Sequence, residues 1–281
     1  MLAGLLLVFL LANQDAEPPL PDLKSFLAEF RKTLHTDSLI LSNYTYTEKR
    51  TSTRLDGKGK PKRTLVEVRQ VFPHPEEELV YRRLISKNDV PQTPAQLAKQ
   101  DREHQKKVEN FERKRQNKTP AELEKARAAA FREDEKIIED LFAVYDIQLA
   151  GRELVDGHPA IRLKFRPRAG AKPRTREGRI MSKVAGDAWV AEADYQLAKI
   201  DAEIIETISI GFGLLARLQK GARIAAERHR FNEEVWLPVK SEASLSARVL
   251  MLRGFNVRET REYSDHKRFN VDTKLTFPEL E

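Results

Sequence analysis

The chain has 281 residues, 40% of them apolar and 33% charged, enough for one large domain or two small ones with much solvated surface. It contains no cysteine, which excludes disulfides, thiolate metal sites, a Cys nucleophile and lipidation on an N-terminal Cys. The formal net charge of +7 suits anionic surfaces, and it is concentrated: from Arg162 to Lys183 nine basic residues face one acid, Glu177.

Leu2 to Ala12 is an almost unbroken apolar run, too short for the roughly 20 residues that span a bilayer. With the polar stretch Asn13 to Pro19 behind it, the run reads as a secretory signal over residues 1–16, and so predicts an exported, periplasmic protein. No Lys or Arg precedes the run, so the reading expects its basic leader upstream of Met1. The remainder, 20–281, reads as one domain.

Asp22 is set to N-cap a helix whose Leu23, Phe26, Leu27, Phe30 and Leu34 form one apolar stripe. That stripe needs a surface to bury it, most simply the concave face of a sheet. Tyr44 to Arg54 and Thr64 to Phe72 read as strands joined by the turn Asp56 to Pro61. Gly57-Lys58-Gly59-Lys60 within that turn lacks both the spacing and the following helix of a phosphate loop. Leu79 to Ile85 reads as a third strand.

Thr93-Pro94-Ala95-Gln96 and Thr119-Pro120-Ala121-Glu122 repeat one signal: Thr at the N-cap, Pro at the first helical position, an amide or acid three residues after the cap. They predict helices over about 94–116 and 120–143, inside a helical insertion at about 92–143. Twelve basic and eleven acidic residues between Lys99 and Asp140 describe solvated, salt-bridged faces. Two readings of the insertion stay open, a lid or partner-docking arm and a decorative addition.

Strands resume at Val144 to Leu154. After the turn at Asp156-Gly157, Ile161, Leu163 and Phe165 alternate with Arg162, Lys164 and Arg166, so one set faces in and the other out. The basic loop Pro167 to Gly178 follows, and its Pro, Gly and Ala content reads as mobile. Gly186 to Asp201 is strand, turn at Glu192 to Asp194, strand. Ile224 to Phe231, Val235 to Pro238, Ala243 to Met251 and Phe255 to Tyr263 complete a meander, with a polar, loosely held tail after Phe269.

No sequence constellation carries catalysis. The six histidines are scattered, without metal-ligand spacing, and no Gly-x-Ser-x-Gly elbow is present. The reading is therefore non-enzymatic, with no cofactor and no metal. Two groups remain. The basic patch of Arg166, Arg168, Lys172, Arg174, Arg176 and Arg179 would either hold an anionic headgroup, an anionic membrane surface or an envelope protein partner, or be a solvated loop with no partner. It lacks the interleaved aromatics of a nucleic-acid site. The apolar group Trp189, Phe212, Leu214, Leu215 and Trp236 would either line a ligand cavity or fill a core.

With the export signal, the amphipathic helix and the hairpins, the run Trp189-Val190, Asp194-Tyr195-x-Leu197-x-Lys199-Ile200 and Val235-Trp236-Leu237-Pro238 resembles the periplasmic outer-membrane lipoprotein-sorting superfamily, the LolA/LolB-like proteins. The resemblance is clearest from about Gly186 to Phe269. It implies an α+β fold: a curved antiparallel sheet, an unclosed half-barrel, with an N-terminal helix in its concavity and, here, a two-helix insertion. It further implies an apolar cavity for a lipid or lipoprotein acyl chain. A LolB-like receptor carries a lipid on Cys, so a soluble carrier fits this chain better. The alternative is an envelope interaction or sensor module that docks a protein partner on the helical insertion.

Overall fold

The computed structural model describes residues 18–34, 41–210, 216–249 and 254–268. The candidate signal 1–16, the tail after Phe269 and the cavity candidates Phe212, Leu214 and Leu215 lie outside them. Helix α1 spans Leu23–Leu34. The Asp22 carboxylate accepts the Ser25 amide at 2.9 Å, which satisfies one orphan donor of its first turn. Strands β1 (Tyr44–Leu55) and β2 (Pro61–Phe72) form the first hairpin. A short 3-10 turn, Glu77–Leu79, leads into β3 (Tyr81–Lys87) and the two-residue β4 (Val90–Pro91).

Helices α2 (Pro94–Gln116) and α3 (Pro120–Val144) begin where the sequence places them. Both capping boxes form, with Thr93 and Thr119 accepting the amides of Gln96 and Glu122. Then come β5 (Tyr145–Val155), β6 (His158–Pro167), α4 (Arg176–Met181), β7 (Val184–Ala191) and β8 (Leu197–Ile204). Short β9 (Ile208–Ile210) and β10 (Ala216–Leu218) precede β11 (Arg223–Phe231), β12 (Val235–Val249) and β13 (Phe255–Arg268). Val235 to Val249 is one strand rather than two, because the backbone absorbs Pro238 at a register shift opposite Glu227/Arg228.

All strands pair antiparallel in one open sheet. Its main path is β4-β3-β2-β1-β13-β12-β11-β8-β7-β6-β5, with β9 and β10 branching from β12. The two ends of the path never pair, so the barrel is not closed. This is the unclosed α+β half-barrel that the resemblance implies. The order also gives the insertion a role that sequence reading missed. β4 lies at one edge of the path and β5 at the other. Helices α2 and α3 are the connection between those edges.

Cross-strand partners share a face, so register traces one face across the whole sheet. On β5 to β8 that face carries α1. Phe26 and Phe30 of α1 are buried against Ile161, Leu163 and Val190. Burying two Phe side chains contributes roughly 1.5–3 kcal/mol each, enough to seat a 12-residue helix that is marginal alone. Followed through Ile200↔Ala226, Ala226↔Ser241, Ser241↔Arg261, Arg261↔Arg50 and Arg50↔Glu67, the same face changes character. Over β13, β1 and β2 it is an ionic lattice. Arg50 donates to Glu259 at 2.8 Å, Arg69 to Glu67 at 2.8 Å and Arg261 to Glu259 at 2.8 Å. Glu48 and Glu67 within it are buried, and burial pushes the neighbouring Tyr46 hydroxyl up to about 12.

Candidate functional site

The apolar half of that face is incompletely filled. A cavity of about 250 Å³ lies under the C-terminal end of α1. Phe30 and Leu34 of α1 and Leu141 of α3 form its roof, while Leu163, Phe165, Ala188 and Ile200 are among its floor residues. Met181, the last residue of α4, closes one end. The lining is side chains of β6, β7 and β8 at period two, which is why the inward set Leu163 and Phe165 was legible in sequence.

Tyr145 joins the cavity to α4. Its ring packs edge-on against Phe165 with centroids 4.9 Å apart. Its hydroxyl donates to the Met181 carbonyl at 2.9 Å, and burial pushes its pKa up. It is therefore a neutral donor with an apolar body.

The basic loop sits at this same end. Ala171 of the loop and Met181 of α4 pack on the buried cluster Val144, Tyr145, Phe165 and Ala202. The loop, which its composition predicts to be mobile, is tied at Arg174 and Thr175. Asp140, 3% exposed near the end of α3, accepts the amides of Arg174 and Thr175 at 3.0 and 2.7 Å and the Thr175 hydroxyl at 2.6 Å. Burial pushes the Asp140 carboxyl up, but the donors from Thr175 and Arg174 outweigh it, and the net position is below the ordinary 3.8. Thr175 in turn N-caps α4 by accepting the Gly178 amide at 2.9 Å. Gly178 has no room for a side chain, since a Cβ there would stand 2.2 Å from Asp140 Oδ2. Sequence reading placed Asp140 among solvated charges. Its one signal was its place at the end of the apolar stripe of α3, next to Leu141.

The six basic candidates are all exposed, but the structure divides them. Lys172, Arg174, Arg176 and Arg179 lie on the loop and α4. Arg168 donates to the Tyr145 carbonyl at 3.0 Å, beside the cavity end. Arg166 points to the other face of β6. There it borders a polar groove of about 500 Å³ with Lys164, Asp187, Asp201, Glu203 and Arg223.

The two described aromatic candidates also stand on that other face, away from the apolar cavity. Trp189 and Trp236 belong to a buried cluster with Val155, Ala160, Ala191 and Ala198. The Trp189 indole donates to Glu153 at 2.8 Å, and its ring lies between the Arg162 guanidinium (5.5 Å) and the Lys199 ammonium (5.0 Å). That hydrogen bond from Trp189 and the Arg162 pair hold the Glu153 carboxyl below its ordinary value. Trp236 donates to Asp194 at 3.1 Å and borders a separate cleft of about 250 Å³ with His158, Glu192 and Arg230. The physical reason is the neighbour: Val190 takes the α1 face, so Trp189 takes the opposite one. Among the described residues no group of three or more His, Asp or Glu is placed to hold a metal ion, and no helix is long and apolar enough to cross a membrane.

No protein-family model matches the chain, and no curated protein matches it. Among solved structures, the chain is similar to a putative outer membrane lipoprotein-sorting protein domain from Vibrio parahaemolyticus, at 9% identity over 86% of this chain and 93% of the other, with a TM-score of 0.35. It is similar to a DUF1329 family protein from Desulfovibrio piger, at 12% identity over 89% and 95%, TM-score 0.31. It is also similar to a LolA superfamily protein from Nitrosomonas europaea, at 10% identity over 88% and 94%, TM-score 0.26. At these identities and TM-scores the neighbours leave function to the chain's own geometry.

Proposed function

We propose that this chain is an exported, non-catalytic binding protein for a lipid or lipoprotein acyl chain. The hydrocarbon enters the cavity under α1, and the exposed cations of the basic loop hold an anionic headgroup at its end. The observation that carries this reading is the juxtaposition. One apolar cluster lines the cavity and also seats Ala171 of the basic loop, so hydrocarbon and charge sites share a wall. The cavity's about 250 Å³ is just under the roughly 300–1,000 Å³ of small-molecule clefts, which fits a single chain end or a cavity that widens as α1 lifts. The polar ties that this movement would break include Thr33 to the Tyr195 carbonyl at 3.0 Å and Arg31 to Glu135 at 3.4 Å.

The test is uptake of a fluorescent fatty acyl probe by the wild type, by Ala188→Phe, and by a variant with Arg168, Lys172, Arg174, Arg176 and Arg179 changed to Gln. Ala188 lines the cavity, so a Phe there fills it and lowers probe affinity at least tenfold, with a melting transition that confirms the fold. The Gln variant keeps the uncharged-probe affinity but loses the salt-sensitive gain for an anionic headgroup. Equal uptake by wild type and Ala188→Phe would place the chain elsewhere and overturn the reading.

A further inference from the structure

Helices α2 and α3 meet at the turn 117–119, and their far ends anchor at opposite edges of the sheet. α2 is tied to β3 by Asp101, which receives Arg83 at 3.0 and 2.9 Å, and by Gln100, whose side-chain amide donates to the Leu84 carbonyl at 3.0 Å. α3 is tied to the basic loop by Asp140. Near their shared turn the helices leave a groove of about 350 Å³. Its apolar surface is Phe111 of α2 with Leu123, Ala126 and Ala130 of α3. Lys114, Arg115, Lys118 and Arg127 line it, and Glu76 and Glu78 from the turn before β3 supply the remaining wall.

Two facts bear on what this groove could hold. First, Lys114, Lys118 and Arg127 converge on it, are exposed and form no ion pair with another described residue. Second, the residues of α3 from Pro120 to Asp134 are exposed apart from Leu123 and Ala128, so half of a 25-residue helix buries almost nothing. Of these residues, Leu123, Ala126 and Ala130 line the groove.

We infer that the α2–α3 groove docks an acidic amphipathic segment of a partner protein. Such a segment would lay Leu or Phe side chains over Phe111 and Leu123 and set its carboxylates against Lys114, Lys118 and Arg127. The charge pattern selects a peptide over a membrane. A bilayer presents uniform negative charge, which Glu76 and Glu78 on the facing wall oppose. A segment with patterned charge avoids those acids or meets them with a base of its own. This site stands apart from the acyl cavity, which lies at the other end of α3, and does not rest on it.

The experiment uses the full chain and one probe: a fluorescein-labelled 16-residue helical peptide with Glu on one face and Leu and Phe at i, i+3 and i+4 spacing. Fluorescence anisotropy reads its binding to the wild type, to Lys114→Glu/Lys118→Glu/Arg127→Glu and to Phe111→Ser. Circular dichroism melts establish that each variant is folded. The expected result is saturable binding that weakens with salt. It falls at least tenfold in the triple variant and several-fold in Phe111→Ser, and is lost with a Lys-for-Glu version of the peptide. No saturable binding up to about 1 mM overturns the inference. Equal binding by the triple variant overturns it as well. So does binding of phosphatidylglycerol vesicles that depends on these three cations and excludes the peptide. A wild type that dimerises in sedimentation while the triple variant stays monomeric assigns the groove to a second copy, and overturns it too.

Discussion

Replacing Asp140 by Asn removes one charge and keeps the shape, which makes it the cleanest perturbation of the join between α3 and the basic loop. Three donors converge on this carboxylate: the amides of Arg174 and Thr175 and the Thr175 hydroxyl, at 2.6–3.0 Å. Hydrogen bonds to a buried charge are worth about 1.5–3 kcal/mol each, and an amide keeps one acceptor while turning an NH2 toward a donor. Relaxation is limited, because Pro173 and Gly178 already stand against the group. The net loss is therefore about 2–4 kcal/mol. In a chain of this size that lowers the melting temperature by about 3–7 °C.

The assay is a thermal melt with trypsin digestion alongside, because the freed loop offers Arg174 and Arg176 for cleavage. A pH series adds a sign test. The Asp140 pKa is depressed on folding, so its contribution is present above the unfolded value of 3.8 and is lost as pH falls through the lower folded value. The gap between wild type and Asp140→Asn is flat at neutral pH and closes in strong acid. An Asn variant that melts within about 1 °C of wild type and is nicked no faster would refute the latch.

Asp101→Ala removes the carboxylate that receives the Arg83 guanidinium, 6% exposed, and the Tyr81 hydroxyl, which donates to it at 2.6 Å. The expected loss is about 3–5 kcal/mol in urea unfolding, and Arg83→Met in the same chain restores most of it. An Asp101→Ala variant as stable as wild type would remove Asp101 as the anchor of α2. Gly186→Ala places a Cβ 2.1 Å from the Asp201 carbonyl on the paired strand β8. Backbone cannot yield as a side-chain tip does, so soluble yield falls and the melt drops by at least the about 1–3 kcal/mol of overpacking. Unchanged melting of Gly186→Ala would mean the β7–β8 pair is looser than drawn.

The sequence was most informative where one residue type has one local use. Thr93 and Thr119 with their prolines marked both long helices, and the alternation from Ile161 to Arg166 sorted the two faces of β6. It was least informative where spatial neighbours decide. Trp189 belongs to an extended run in either orientation, and only the packing of Val190 under α1 settles which face the indole takes. Asp140 sits in a run of charges whose other members are solvated, and its burial depends on donors 34 residues away or more. Nothing local told that the helical insertion joins opposite edges of the sheet. That follows from β13 pairing with β1, a partnership across more than two hundred residues of chain.

That partnership bears on how the molecule comes into being. β13 is the last strand among the described residues, yet it lies inside the sheet, with β1 on one side and β12 on the other. Until it arrives, β4 to β1 and β12 to β5 are separate stretches of sheet, joined in the chain through α2 and α3 and by α1, which precedes β1 and packs on β6 and β7. Such long-range pairing folds slowly and late. A growing chain thus has no finished sheet until β13 emerges. Under the export proposed above, that order would leave the sheet in two unjoined stretches until β13 has crossed.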